Sequence, residues 1–132
     1  MIWPFIDGDC LKWTPKKTAD TTDMDTVGCY GPHETEVLTQ DWADRDLEKD
    51  VPYPGKDALV AKWTDHCTRL FLSDLVTVKD KENVLRFWVL VPGAESWKLK
   101  TQNGYRMSHR LVYCFIGKAD GSPLTDKAMA DR

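Results

Sequence analysis

The sequence predicts an α+β fold: an antiparallel sheet of three to five strands with one main amphipathic helix (about 57–73) packed on one face, and a long irregular N-terminal layer. Three observations carry that expectation. Proline and glycine crowd residues 14–56, where Pro15, Gly28, Gly31, Pro32, Pro52, Pro54 and Gly55 interrupt any long element. Leu59, Val60, Trp63, Cys67, Leu70, Phe71 and Leu75 then recur at three- and four-residue steps with no breaker among them. After residue 83 the chain turns rich in β-branched and aromatic residues, and Asn103-Gly104 supplies a hairpin turn.

Taken in order, residues 36–38 predict a short strand and 41–48 a two-turn helix capped by Asp41, with Trp42 and Leu47 as its apolar contacts. The main helix follows. Asp57 is its expected N-cap, and Lys62, Asp65, Thr68 and Arg69 form its free face. Residues 84–91 are apolar on both parities, which predicts an interior strand covered on both faces and ended by Pro92-Gly93. The hairpin arms are 97–101 and 105–111. A three-residue loop, 102–104, sets Thr101 opposite Tyr105 and sorts Trp97, Leu99, Tyr105, Met107, His109 and Leu111 onto one face. Lys98, Lys100, Arg106 and Arg110 then share the polar face, and the second arm continues into the sheet centre through Val112, Cys114 and Ile116. The last ten residues are expected to be a short helix or a frayed tail. The 132 residues are read as a single domain: an acidic loop-rich layer at 1–56, the helix-and-strand core at 57–117, and a turn and tail at 118–132.

The net charge of -3 is an average of two unlike halves. Residues 1–66 carry 14 acidic and 7 basic side chains, and residues 67–132 carry 7 acidic and 11 basic. The acidic pole, with Asp41, Asp44, Asp46 and Glu48, could draw a basic protein partner. The basic hairpin face of Lys98, Lys100, Arg106 and Arg110 could hold an anionic ligand or a nucleic-acid backbone. No apolar run approaches the roughly 18 residues that a bilayer span needs, so no membrane partner is expected. The start, Met1-Ile2-Trp3-Pro4-Phe5-Ile6-Asp7, does not read as a secretory signal. Cys10, Cys29, Cys67 and Cys114 are therefore expected to be reduced thiols, and the localisation cytoplasmic.

Motifs for chemistry are sparse. Asp23, Asp25, Gly28 and Glu34 fall at calcium-loop positions, but Val27 stands where an oxygen ligand belongs and Pro32 where the exit helix should start. Cys10, Cys29, His33, His66, Cys67 and His109 include no Cys-x-x-Cys and no His-x-x-x-His. Cys29 with His33 is the only pair at a plausible local spacing. No metal, cofactor or catalytic residue is predicted. Residues 103–117 are similar to the segment that precedes the metal core in some phage HNH endonucleases, yet no His follows His109 and no Asn follows Asn103, so that core's ligands and catalytic groups are missing. The expected function is a small soluble intracellular binding or accessory protein acting through charged surfaces on a protein partner, with self-association as a further option. The alternatives are a nucleic-acid module using the basic hairpin, and an enzyme with a cleft lined by His66 or His109 acting on a small anion.

Overall fold

A computed structural model describes residues 5–13, 26–46 and 49–130. The fold is α+β. In chain order the elements are β1 (Cys10–Leu11), β2 (Thr26–Val27), β3 (Thr35–Trp42), α1 (Lys56–Leu72), α2 (Lys81–Val84), β4 (Leu85–Leu90), α3 (Ala94–Trp97), β5 (Lys100–Gln102), β6 (Tyr105–Met107) and β7 (Leu111–Lys118). Five strands form one antiparallel sheet in the order β2-β1-β3-β7-β4, and β5 and β6 form a separate two-stranded ribbon.

The sheet is apolar on both faces because strand residues alternate between two cores. Cys114 and Ile116 of β7 meet Cys67 and Phe71 of α1 on one side, while Tyr113 and Phe115 meet Phe5, Leu11 and Trp13 on the other. Strand β3 serves both by the same alternation, Val37 joining the second core and Leu38 the first, and a bulge at Leu38 shifts its register on β7 between Val37 and Thr39. Helix α1 buries one stripe, Leu59, Trp63, Cys67 and Phe71, each four residues from the last. Its N-cap is Gly55, at φ 95°, rather than Asp57, which lies in the first turn where its charge still suits the helix dipole.

All four cysteines are paired, which corrects the reduced-thiol expectation. Cys67–Cys114 ties α1 to the central strand β7, and Cys10–Cys29 ties β1 to the turn after β2. With sequence separations of 47 and 19, loop-closure entropy makes them worth about 4 and about 3 kcal/mol. Spacing alone could not pair them, because four cysteines permit three connectivities.

Four elements differ from expectation. Residues 41–46 form no helix; Asp41 and Trp42 end β3, and Leu47 and Glu48 lie outside the described residues. Strand β4 sits at the sheet edge and is only half-buried after Leu85, while β7 takes the interior place. The hairpin has a two-residue loop, with Gln102 opposite Tyr105, Asn103 at φ 52° and Gly104 at φ 80°. Each arm is three residues long, and Trp97 belongs to α3, so the polar-apolar sorting over 97–111 had no continuous strand to act on. The described part of the C-terminal segment, residues 123–130, forms no helix and is held against the fold. Leu124 bridges to His33 and Met129 to Val76, and Ala128 and Met129 are buried.

Close packing of the sheet has one sharp point. A Cβ on Gly117 would stand 2.8 Å from the Glu34 carbonyl oxygen and 3.0 Å from the Trp88 ring. Gly117→Ala is expected to lower stability by about 1–3 kcal/mol through overpacking, whereas Gly93→Ala, with open space around it, shifts the urea midpoint little. Equal midpoints for the two variants would contradict the packing described.

Candidate functional site

A third core joins Leu59, Trp63, Trp97 and Val112, and the side chain stacked on its Trp97 is Arg110. It is fully buried, not part of an exposed basic face. Its Nε donates to the Trp97 carbonyl at 3.1 Å, Nη1 to the Asp46 carbonyl at 2.8 Å and Nη2 to the Lys49 carbonyl at 2.9 Å. Asp44 Oδ1 lies 3.8 Å from Nη1, and the guanidinium sits 4.9 Å from the centre of the Trp97 ring. Backbone contacts close the same knot: Ala43 N donates to the Arg110 carbonyl at 2.7 Å, and His109 N to the Ser96 carbonyl at 2.8 Å. The chain therefore leaves the ribbon at 108–110 before β7 begins.

This clamp holds the segment after β3 against α3. Trp97 Nε1 donates to the Val51 carbonyl at 2.8 Å, and Tyr53 packs edge-on against the Trp97 ring with its hydroxyl donating to the Pro92 carbonyl at 3.0 Å. Pro52 and Pro54 keep the strand-like run into Gly55 extended. Between that run and the first turns of α1 lies a groove of about 280 Å³. Val51, Pro52, Pro54, Ala58, Leu59 and Trp97 supply its apolar lining, with Lys62 and Asp44 as the charged groups on its walls. A mostly apolar concavity with few polar groups is the usual character of a binding site.

The charged residues singled out in the sequence do not converge. Lys98 is exposed and donates to Glu95 at 2.8 Å; each holds the other charged, so the Lys98 ammonium is raised and the Glu95 carboxyl lowered from ordinary values. Lys100 is exposed, and the Arg106 side chain lies outside what the structure describes. Asp41 pairs with Arg45 at 3.1 Å, Asp46 with Lys49 at 3.4 Å, and Asp44 faces Arg110. Glu48, like the calcium-loop residues Asp23 and Asp25, lies outside the described residues. His66 packs edge-on to Trp63, and neither it nor His109 lines the groove.

A second cluster was hidden by sequence distance. Cys10, His33 and Glu36 are buried side by side, their donor atoms all within 4.8 Å of one another. His33 Nδ1 donates to the Gly31 carbonyl at 2.8 Å, and its Nε2 lies 2.7 Å from Glu36 Oε2. Glu36 also accepts the backbone N–H groups of Ala128 at 2.8 Å and Met129 at 3.2 Å, which anchors the C-terminal segment. The Cys29-His33 spacing pointed here; pairing of Cys10 with Glu36 across β1 and β3 supplied the rest.

The family model described as "Septum formation" matches residues 7–119. The chain belongs to the Septum formation family. The matched span contains both disulfides, Arg110 and the whole groove, and stops short of Ala128 and Met129. No curated protein and no solved structure matches the chain.

His109 gives the region a pH signature. Burial, followed by nearby positive charge including Lys100, lowers its pKa from the ordinary 6.5. The unfolded chain then binds the proton more readily than the folded one, so stability falls as pH drops through 6.5 toward the folded value. His109→Gln should flatten that decline in denaturant midpoints measured between pH 7.5 and pH 5.5, values chosen about one unit either side of an ordinary His. An unchanged slope in the variant would assign the decline to other groups.

Proposed function

We propose that this chain is a non-catalytic binding module acting in septum formation, and that it takes an apolar segment of a protein partner in the groove between residues 51–54 and α1. The observation that carries the reading is the groove itself: an apolar lining with Trp97 fixed in place by Arg110 and Val51. Such a pocket needs little ordering when a side chain enters it, so less binding free energy is lost. Lys62 and Asp44 offer one cation and one anion to orient an extended backbone. The family description supplies the process.

Contact through the charged poles is the weaker form of this reading, because Asp41, Asp46 and Lys98 already have ionic partners of their own chain. The hairpin offers nucleic acid no four-cation face, because Arg110 is buried and Lys98 is paired with Glu95. Two disulfides support an oxidising compartment as the place of action, in preference to the cytoplasm expected from free thiols.

Peptides selected on the chain from a displayed random library should share an apolar or proline anchor and shift the Trp97 indole resonance. Ala58 is exposed on the groove wall, so Ala58→Arg fills the site without touching the core and should weaken those peptides at least about tenfold, or about 1.4 kcal/mol. Lys98→Glu should leave them unaffected. Selected peptides that bind the Ala58→Arg chain equally well, or that lose binding with Lys98→Glu instead, would overturn the groove reading.

A further inference from the structure

We propose that the Cys10–Cys29 disulfide masks a zinc site, formed when the bond is reduced, in which Cys10, Cys29, His33 and Glu36 hold the ion.

Two thiolates, an imidazole and a carboxylate are a set that suits Zn²⁺ in tetrahedral geometry. Ligands about 2.0–2.3 Å from such an ion stand about 3.3–3.8 Å from one another. The Cys10, His33 and Glu36 donor atoms already lie within 4.8 Å of one another, and the disulfide places the Cys29 sulfur against that of Cys10. Cys29 is not one of that group while it is bonded to Cys10; once the bond opens, its freed sulfur turns in as the fourth donor.

The surroundings are prepared as well. The His33 Nδ1–H bond to the Gly31 carbonyl fixes the ring so that Nε2 points at Glu36, the same arrangement that orients metal-bound histidines. A cation entering here takes the place of the proton shared by Nε2 and Oε2. Glu36 keeps the Ala128 and Met129 N–H groups as donors, which steadies its charge while it ligates or holds His33. Cys10, His33 and Glu36 are buried, whereas Cys29 is half-exposed, so a reductant reaches the bond from the Cys29 side.

A dithiol gives two electrons and two protons to the disulfide, becoming a disulfide itself, and Cys10 and Cys29 become thiols. Zn²⁺ then displaces both thiol protons and the proton between His33 and Glu36. The oxidised chain offers no thiolate and holds no ion there. The two states bias the same segment in different ways, because Glu36 also anchors Ala128 and Met129.

Cobalt(II) is the probe. The chain is reduced without oxygen by a trialkylphosphine, which becomes its oxide by taking oxygen from water, and is then titrated with Co²⁺. The reduced chain should bind one Co²⁺ with the intense visible bands of a four-coordinate ion and a near-ultraviolet thiolate band, and Zn²⁺ should abolish both. The oxidised chain should show neither. His33→Ala and Cys29→Ser should each weaken binding at least about tenfold, and alkylation mapped by mass should show Cys10 and Cys29 protected by the metal. Far-ultraviolet circular dichroism of each variant in its oxidised or metal-free form checks folding, with His33→Asn as the milder substitution if the alanine variant unfolds. Pale octahedral spectra only, thiolate bands that persist in the His33 variants, or a reduced chain that loses its structure and does not regain it with Zn²⁺ would each overturn the proposal.

Discussion

The guanidinium of Arg110 has five N–H groups and no exposed surface, so its position is set by the acceptors that can meet it: the carbonyls of Trp97, Asp46 and Lys49. Those three carbonyls come from two separate stretches of chain, and one planar fork fixes their mutual placement in a way that a single point charge does not. Much follows from that constraint. The ribbon must stop before Arg110, β7 must start after it, and the run through Val51 must lie against Trp97. The groove is the space left between that run and α1. A buried cation paired mainly with carbonyls and only loosely with Asp44 is costly to desolvate, and the indole face beneath it offsets part of that cost.

The sheet supplies the rigid frame for this arrangement. Because β7 is central and buried on both faces, its residues fix α1 through Cys67–Cys114 and the N-terminal segment through Tyr113 and Phe115. The acidic half of the sequence is part of that frame. Thr35, Glu36, Val37 and Leu38 lie within its span, and all four are buried. Within the acidic half Asp41 pairs with Arg45 and Asp46 with Lys49, and Asp65 reaches Arg69 of the basic half. Pairs this exposed add little stability, but they leave fewer free charges for a partner.

What the sequence made legible were the features with local periodicity. The stripe from Leu59 to Phe71 repeats at helical spacing, and α1 spans Lys56–Leu72 as that spacing requires. The Asn103-Gly104 turn was visible too, although its register depended on whether Trp97 was in the strand. Features set by long-range contacts were not legible. Nothing near Arg110 in sequence announces carbonyls at residues 46 and 49, and an alternating pattern assigned it to the wet face. The apolar run at 84–91 could not reveal that its strand is an edge, since the neighbour that makes β7 central is β3, far earlier in the chain. Likewise Cys10, His33 and Glu36 meet only because β1 pairs with β3.

Arg110 holds residues 43–51 in place independently of the sheet, and amide hydrogen exchange on the Arg110→Lys variant is the decisive test. Lysine keeps the charge but lacks the fork. With the fork lost, the Ala43 amide, the Trp97 indole N–H and the described amides between residues 43 and 51 should lose protection, while those of β3 and β7 keep theirs. Equal protection in variant and wild type at 43–51, or a uniform loss across the whole sheet, would contradict it.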